Sequence, residues 1–165
     1  LKYLVVGIAI LVVIAAFIVV VKKRKNGIRK HTMLVHLPVG WTEISGQSPR
    51  AYKRSEKGSG ILQISLFPPS STAINSGADA ELQLERMMEA MSSSELGNRI
   101  VLTYDQAKTG IMATALYKNE KQGLFQVWLV CGEVNIFATY TMGSLETVQT
   151  EIQEAAKIVK DITLD

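Results

Sequence analysis

Few side chains in this sequence have types and spacings that could do chemistry. The two histidines, His31 and His36, are five residues apart. On a strand an odd spacing puts them on opposite faces, a poor geometry for one metal. His31 reads as a polar residue beside a basic leader, and His36 as strand surface. The single cysteine, Cys131, lies in an apolar stretch with no neighbouring His, so it reads as a buried structural thiol and excludes a disulfide within the chain. Lys57-Gly58-Ser59-Gly60 lacks the spacing and the following helix of a phosphate-binding loop. Glu81, Glu85 and Glu89 recur at i, i+4, i+8 and could align ligands on one helical face, but without paired histidines they read as a solvated face. Met87, Met88 and Met91 form the other patterned group. Methionine adapts to irregular apolar partners, so this row beside a long Ser/Pro-rich loop could bind a partner or simply pack on a sheet. The sequence therefore points to no catalytic residue, no metal site and no cofactor, and the chain is read as not an enzyme.

The elements that carry these residues divide into two unlike parts. The formal charge of +3 over 165 residues is a sum of opposites: residues 1–30 hold seven of the eighteen Lys+Arg and none of the fifteen acids. The rest of the chain is mildly acidic. Leu4 to Val21 is a run without charge, amide or proline. As a helix it would span roughly 27 Å, close to the ~30 Å of a hydrocarbon core, with Lys2 and Lys22 able to snorkel outward. It ends in bulky β-branched residues and then Lys22, Lys23, Arg24 and Lys25, which suits an uncleaved anchor better than a signal-peptide cleavage site. We therefore expect a transmembrane anchor over 1–22, a basic juxtamembrane linker over 23–32 and a folded domain over 33–165. The cationic flank puts that domain on the cytoplasmic side of a single-pass cell-membrane protein. Membrane lipid is then the partner of residues 4–21 and of the flank. With no interleaved aromatics, the flank is not a nucleic-acid patch.

In the body the pattern shifts to period two. Met33–Leu37, Trp41–Ile44, Arg50–Ser55 and Ile61–Phe67 read as strands, and Leu62, Ile64 and Leu66 share one face of the last. Residues 68–78 form an irregular connection. A helix is expected from near Asp79, its apolar stripe being Leu84, Met87, Met88 and Met91. Ile100–Ala107, Ile111–Lys118, Leu124–Cys131 and Val134–Thr141 follow with short polar or glycine-containing breaks, which predicts an antiparallel meander. Leu124–Cys131 is apolar on both faces, which predicts a central strand covered on both sides. A helix from about Leu145 to Lys160, capped by Ser144, closes the domain. We write the order as β-β-β-α-β-β-β-β-α: an α+β fold, a twisted antiparallel sheet flanked by helices.

The stretch Val35-His36-Leu37-Pro38-Val39-Gly40-Trp41 resembles the "apolar strand, Pro, x, Gly, Trp" opening of PsbP-like and DcrB-like domains. The order of elements over residues 31–165 is also similar. The resemblance implies an antiparallel sheet sandwiched between helices. It also implies a mostly non-enzymatic group that includes photosystem subunits, GTPase-binding factors, lipoproteins and chaperones, with no shared catalytic set. Together these readings give a membrane-tethered, non-catalytic protein-binding or scaffolding domain of unknown partner. Its expected surface is the loop 68–79 with the methionine helix: Pro69, Ile74, Met87, Met88 and Met91. Two alternatives stand beside it: an envelope immunity or stress-protective protein that neutralises a toxin at the membrane, and an enzyme with a diffuse carboxylate site.

Overall fold

The computed structural model describes residues 31–54, 60–69, 73–91, 97–119, 123–142 and 149–165. The expected anchor, Lys22, Lys23, Arg24, Lys25 and the Ser144 cap lie outside the described residues. Among those described, no helix is long and apolar enough to cross a membrane.

Strands β1 (Met33–Leu34), β2 (Trp41–Ser45), β3 (Arg50–Arg54) and β4 (Ile61–Phe67) precede helix α1 (Gly77–Met91). Strands β5 (Asn98–Ala107), β6 (Gly110–Asn119), β7 (Gly123–Gly132) and β8 (Asn135–Met142) follow, then α2 (Gln149–Lys160) and β9 (Thr163–Leu164). The α+β class and the meander are as the sequence reads. Two details of the written order are corrected. Four strands, not three, precede the first helix, and a ninth follows the last. β1 is also shorter than the expected 33–37: it lasts only as long as its partner β9, which it meets through Met33↔Leu164 and Leu34↔Thr163.

The other seven strands form one antiparallel sheet in the order β2-β3-β4-β8-β7-β6-β5. β4 and β8 are neighbours in the middle, so the connection through α1 carries the chain across one face from β4 to the far edge, where β5 starts. α2 packs on the opposite face against β7, β8 and β5. The chain thus lays one helix on each side of the sheet.

Side-chain alternation along β7 builds both cores. Val127, Leu129 and Cys131, with half-buried Phe125, join Leu84, Met87, Met88 and Ala80 of α1. Leu124, Trp128 and Val130 join Ala155, Ile158 and Val159 of α2 on the other face. Burial of both faces explains the two-sided apolarity of this strand. The start of α1 is fixed by a reciprocal cap. The Asp79 amide donates to Ser76 Oγ at 3.2 Å, while Asp79 Oδ2 accepts from the Ser76 hydroxyl at 2.9 Å and from the Asn75 amide at 3.1 Å. These bonds hold the Asp79 carboxyl below its usual range, the Ser76 hydroxyl being the main cause. At Gly77 any Cβ would fall 2.2 Å from the Tyr104 ring, so a side chain there would displace that ring from the helix start.

Candidate functional site

The most buried polar cluster that the fold assembles lies on the α2 side. Trp41, at the start of β2, points its indole N–H at Glu154 of α2, donating to Oε2 at 2.7 Å. Arg54, at the end of β3, grips the same carboxylate through Nε (2.9 Å to Oε2) and Nη2 (3.2 Å to Oε1). One turn earlier on α2, Glu151 is only 3% exposed and accepts a hydrogen bond from the Tyr140 hydroxyl of β8. Burial, then the adjoining Glu151 carboxylate, push the Tyr140 phenol well above its ordinary range. Its ring lies 6.2 Å from that of Trp41. Gly60 makes room for it, since a Cβ there would sit 2.4 Å from the Tyr140 ring. The cluster ties β2, β3 and β8 to α2. Each carboxylate faces a donor within the fold, which is the chemistry of a structural bracket.

A second knot closes the β2–β3 corner. Arg50 forms a two-pronged pair with Glu43 (2.7 and 2.9 Å) and donates through Nη1 to the Met33 carbonyl at 2.9 Å. Its guanidinium also lies 5.6 Å from the centre of the Tyr52 ring. The Arg50 bond lowers the Glu43 pKa, while burial pushes the Tyr52 phenol up to about 12.

The residues singled out from the sequence do not gather into one site. Met87 and Met88 are buried at 8% and 4% exposure in the core beneath α1, so their side chains pack on the sheet and are not offered to a partner. The heptad-like stripe is equally consistent with either role; only the covering sheet decides between them. Ile74 packs half-buried against the same core, and Pro69 is exposed. α1 extends to Met91, whose side chain lies outside what is described. His36 is exposed and His31 half-buried. Cys131 is buried, and desolvation lifts its thiol to about 11. No group of three or more His, Cys, Asp or Glu among the described residues is arranged to hold a metal ion. Of the glutamate row on α1, Glu85 bonds Arg99 of β5.

Sequence reasoning missed a more open feature, the strand β5 itself. It is the terminal strand of the sheet, and only Ala107 of its ten residues is buried. Ile100, Val101 and Tyr104 are 52%, 40% and 60% exposed. Its outer edge has no strand partner among the described residues. The sequence signal was weak: polar residues stand at Asn98, Arg99, Thr103, Asp105 and Gln106, so neither face of β5 is consistently apolar.

The solution structure of cyanobacterial PsbP (CyanoP) from Synechocystis sp. PCC 6803 superposes with a TM-score of 0.53 at 11% identity, covering 86% of this chain and 96% of that one. The domain has a PsbP-like fold. A crystal structure from Bacteroides thetaiotaomicron VPI-5482 matches at a TM-score of 0.43 and 13% identity, over 81% of this chain and 45% of that one. No protein-family model and no curated protein sequence matches the chain. At such identities the likeness is one of architecture. Among the described elements of the PsbP-like domain, β5 leaves the most large apolar side chains exposed.

Proposed function

We propose that the chain is a membrane-tethered, non-catalytic binding or scaffolding protein whose domain engages a protein partner through its open sheet edge. The observation that carries this reading is the exposure of β5: ten residues of edge strand with Ile100, Val101 and Tyr104 open to solvent. An edge strand presents unpaired N–H and C=O groups, and proteins usually blunt such edges when they are not used. The carboxylates that might have suggested catalysis, Glu151 and Glu154, are turned toward Tyr140, Trp41 and Arg54. The apolar run Leu4–Val21 and the flank Lys22–Lys25 supply the tether and favour a cytoplasmic domain. The binding surface assigned here differs from the methionine helix, because Met87 and Met88 are spent in the core.

The test is crosslinking in intact cells followed by recovery through a C-terminal tag, with the wild type compared with an Ile100→Lys/Tyr104→Lys variant. The reading expects a discrete crosslinked product that the variant loses. A product unchanged in the variant would move the surface away from β5. Topology is tested separately with a surface cysteine introduced after Cys131→Ser: labelling by an impermeant reagent in intact cells would contradict a cytoplasmic domain.

A further inference from the structure

Resting on the reading of β5 as a binding edge, the chemistry around that edge narrows what can occupy it. From Val101↔Leu116 to Ala107↔Gly110 the pairing with β6 runs without interruption, the one register shift falling earlier, between Arg99 and Val101. Residues 101–107 therefore offer a regular strand edge to an incoming chain. Strand addition to such an edge gains main-chain hydrogen bonds, while the side-chain surroundings set specificity.

Those surroundings differ between the two faces. Above the edge, α1 packs on β5 and β6. Its glutamates fall at i, i+4, i+8: Glu85 bonds Arg99, Glu81 lies within electrostatic reach of Arg99, and Glu85 and Glu89 within reach of Tyr117 on β6. Glu81 and Glu85 thus stand beside the Arg99 end of the rim, with Glu89 nearer Tyr117 and Arg86 following Glu85 on the same helix. On the opposite face the charges are matched, Asp105 with Lys160 and Asp161 with Lys108. Tyr104, on the α1 side against Gly77, adds an exposed ring beside the acidic row.

We infer that the β5 edge takes, as an eighth strand, an extended segment of another protein that alternates cationic with β-branched residues. A Lys or Arg on the α1 side would lay its stem along Tyr104 with its head toward Glu81, and a second one nearer Arg99 would face Glu85. β-branched residues on the other side would meet Val101 and Thr103. A second copy of this chain fits less well. Antiparallel pairing of two β5 strands about a two-fold axis perpendicular to the sheet brings both α1 helices to the same face, and so sets the two acidic rows beside one seam.

The probe is a synthetic peptide as long as β5 alternating valine with lysine, set against one alternating valine with glutamate. Each is titrated by fluorescence anisotropy into the full chain in detergent, with amide hydrogen exchange followed. The lysine peptide is expected to bind about ten-fold more tightly than the glutamate peptide, as several exposed charge pairs acting together would give. It should slow exchange in residues 101–107 and leave β2 unchanged. Raising the salt, or making the Glu81→Gln/Glu89→Gln change on the outer side of α1, should shrink the difference to a few-fold. Equal binding of both peptides, or protection outside β5, would overturn the inference. So would a dimer whose β5 amides are already protected without peptide, which would make the occupant a second copy. If neither peptide binds while crosslinks from cells are still lost on altering β5, the partner chemistry is wrong and the binding reading stands. If both results are negative, both fall.

Discussion

β7 and β5 are strands of equal length in one meander, separated only by β6, yet the fold treats them in opposite ways. β7 lies inside the sheet and supplies buried side chains to two cores, with Trp128 toward α2 and Val127 and Leu129 toward α1. β5 lies at the rim and buries Ala107 alone. The other rim is closed differently. β2 is only five residues long, its register shifts between Glu43 and Ser45, and the Glu43–Arg50 pair is tied back to Met33. A short, charged, irregular edge is how a sheet discourages further pairing. The contrast suggests that stability is concentrated between β4 and β7, and that β5 is the part left free for something other than folding.

The largest effects are expected at the centre of the sheet. Trp128→Ala should cost about 3–5 kcal/mol in urea unfolding, because the indole is 1% exposed and its removal leaves a large space in the core. A loss near that of a surface substitution would mean the α2-side core is not where the stability lies. Tyr140→Phe, on the neighbouring β8, should cost about 1–3 kcal/mol by removing a donor from the buried Glu151 carboxylate. A thermal melt unchanged by this substitution would show that the bracket is incidental.

Cys131 sharpens the contrast through pH. Its thiol is held protonated by burial, with its pKa lifted to about 11. Ionisation therefore favours the unfolded chain over the interval from the ordinary thiol value up to about 11, and stability should fall as pH rises through that interval. Cys131→Ala should remove its share of this fall, most visibly below the range where the raised Tyr52 and Tyr140 phenols add their own, and a thiol reagent at neutral pH should react only on unfolding. The smallest effect belongs to the rim. Ile100→Thr, at a site 52% exposed, should change stability by no more than about 0.5 kcal/mol while still altering any interaction made through β5. A cost approaching that of Trp128→Ala would mean β5 is part of the core.

Much of this architecture is legible in the sequence. The alternation of Leu124–Cys131 identified a strand covered on both faces, and the short breaks at Lys108-Thr109 and Gly132-Glu133 identified a meander. These are local signals, carried by period and by turn chemistry. The order of the strands was not legible, because nothing in the period of Ile61–Phe67 says that it pairs with Asn135–Thr141. That pairing decides which strand ends at the rim, so the openness of β5 was hidden as well. The Met87–Met88 pair shows the same limit from the other side. A stripe on a helix reports that something apolar covers it, and here the cover is the sheet itself. Glu151 and Glu154 do not stand out in the sequence because they fall among the polar positions of an amphipathic helix; Trp41 and Arg54 reach them from distant strands, and Tyr140 from the strand just before.

The role of β5 is tested by placing a photoreactive residue, one at a time, at Ile100 on β5, at Ile44 on β2 and at Pro69 in the loop before α1. Each full-length variant is illuminated in native membranes. A defined crosslinked species from Ile100, weak or absent from Ile44 and Pro69, is the result expected of a binding domain that uses its open edge. Equal crosslinking from all three positions, or crosslinking from Pro69 alone, would contradict it.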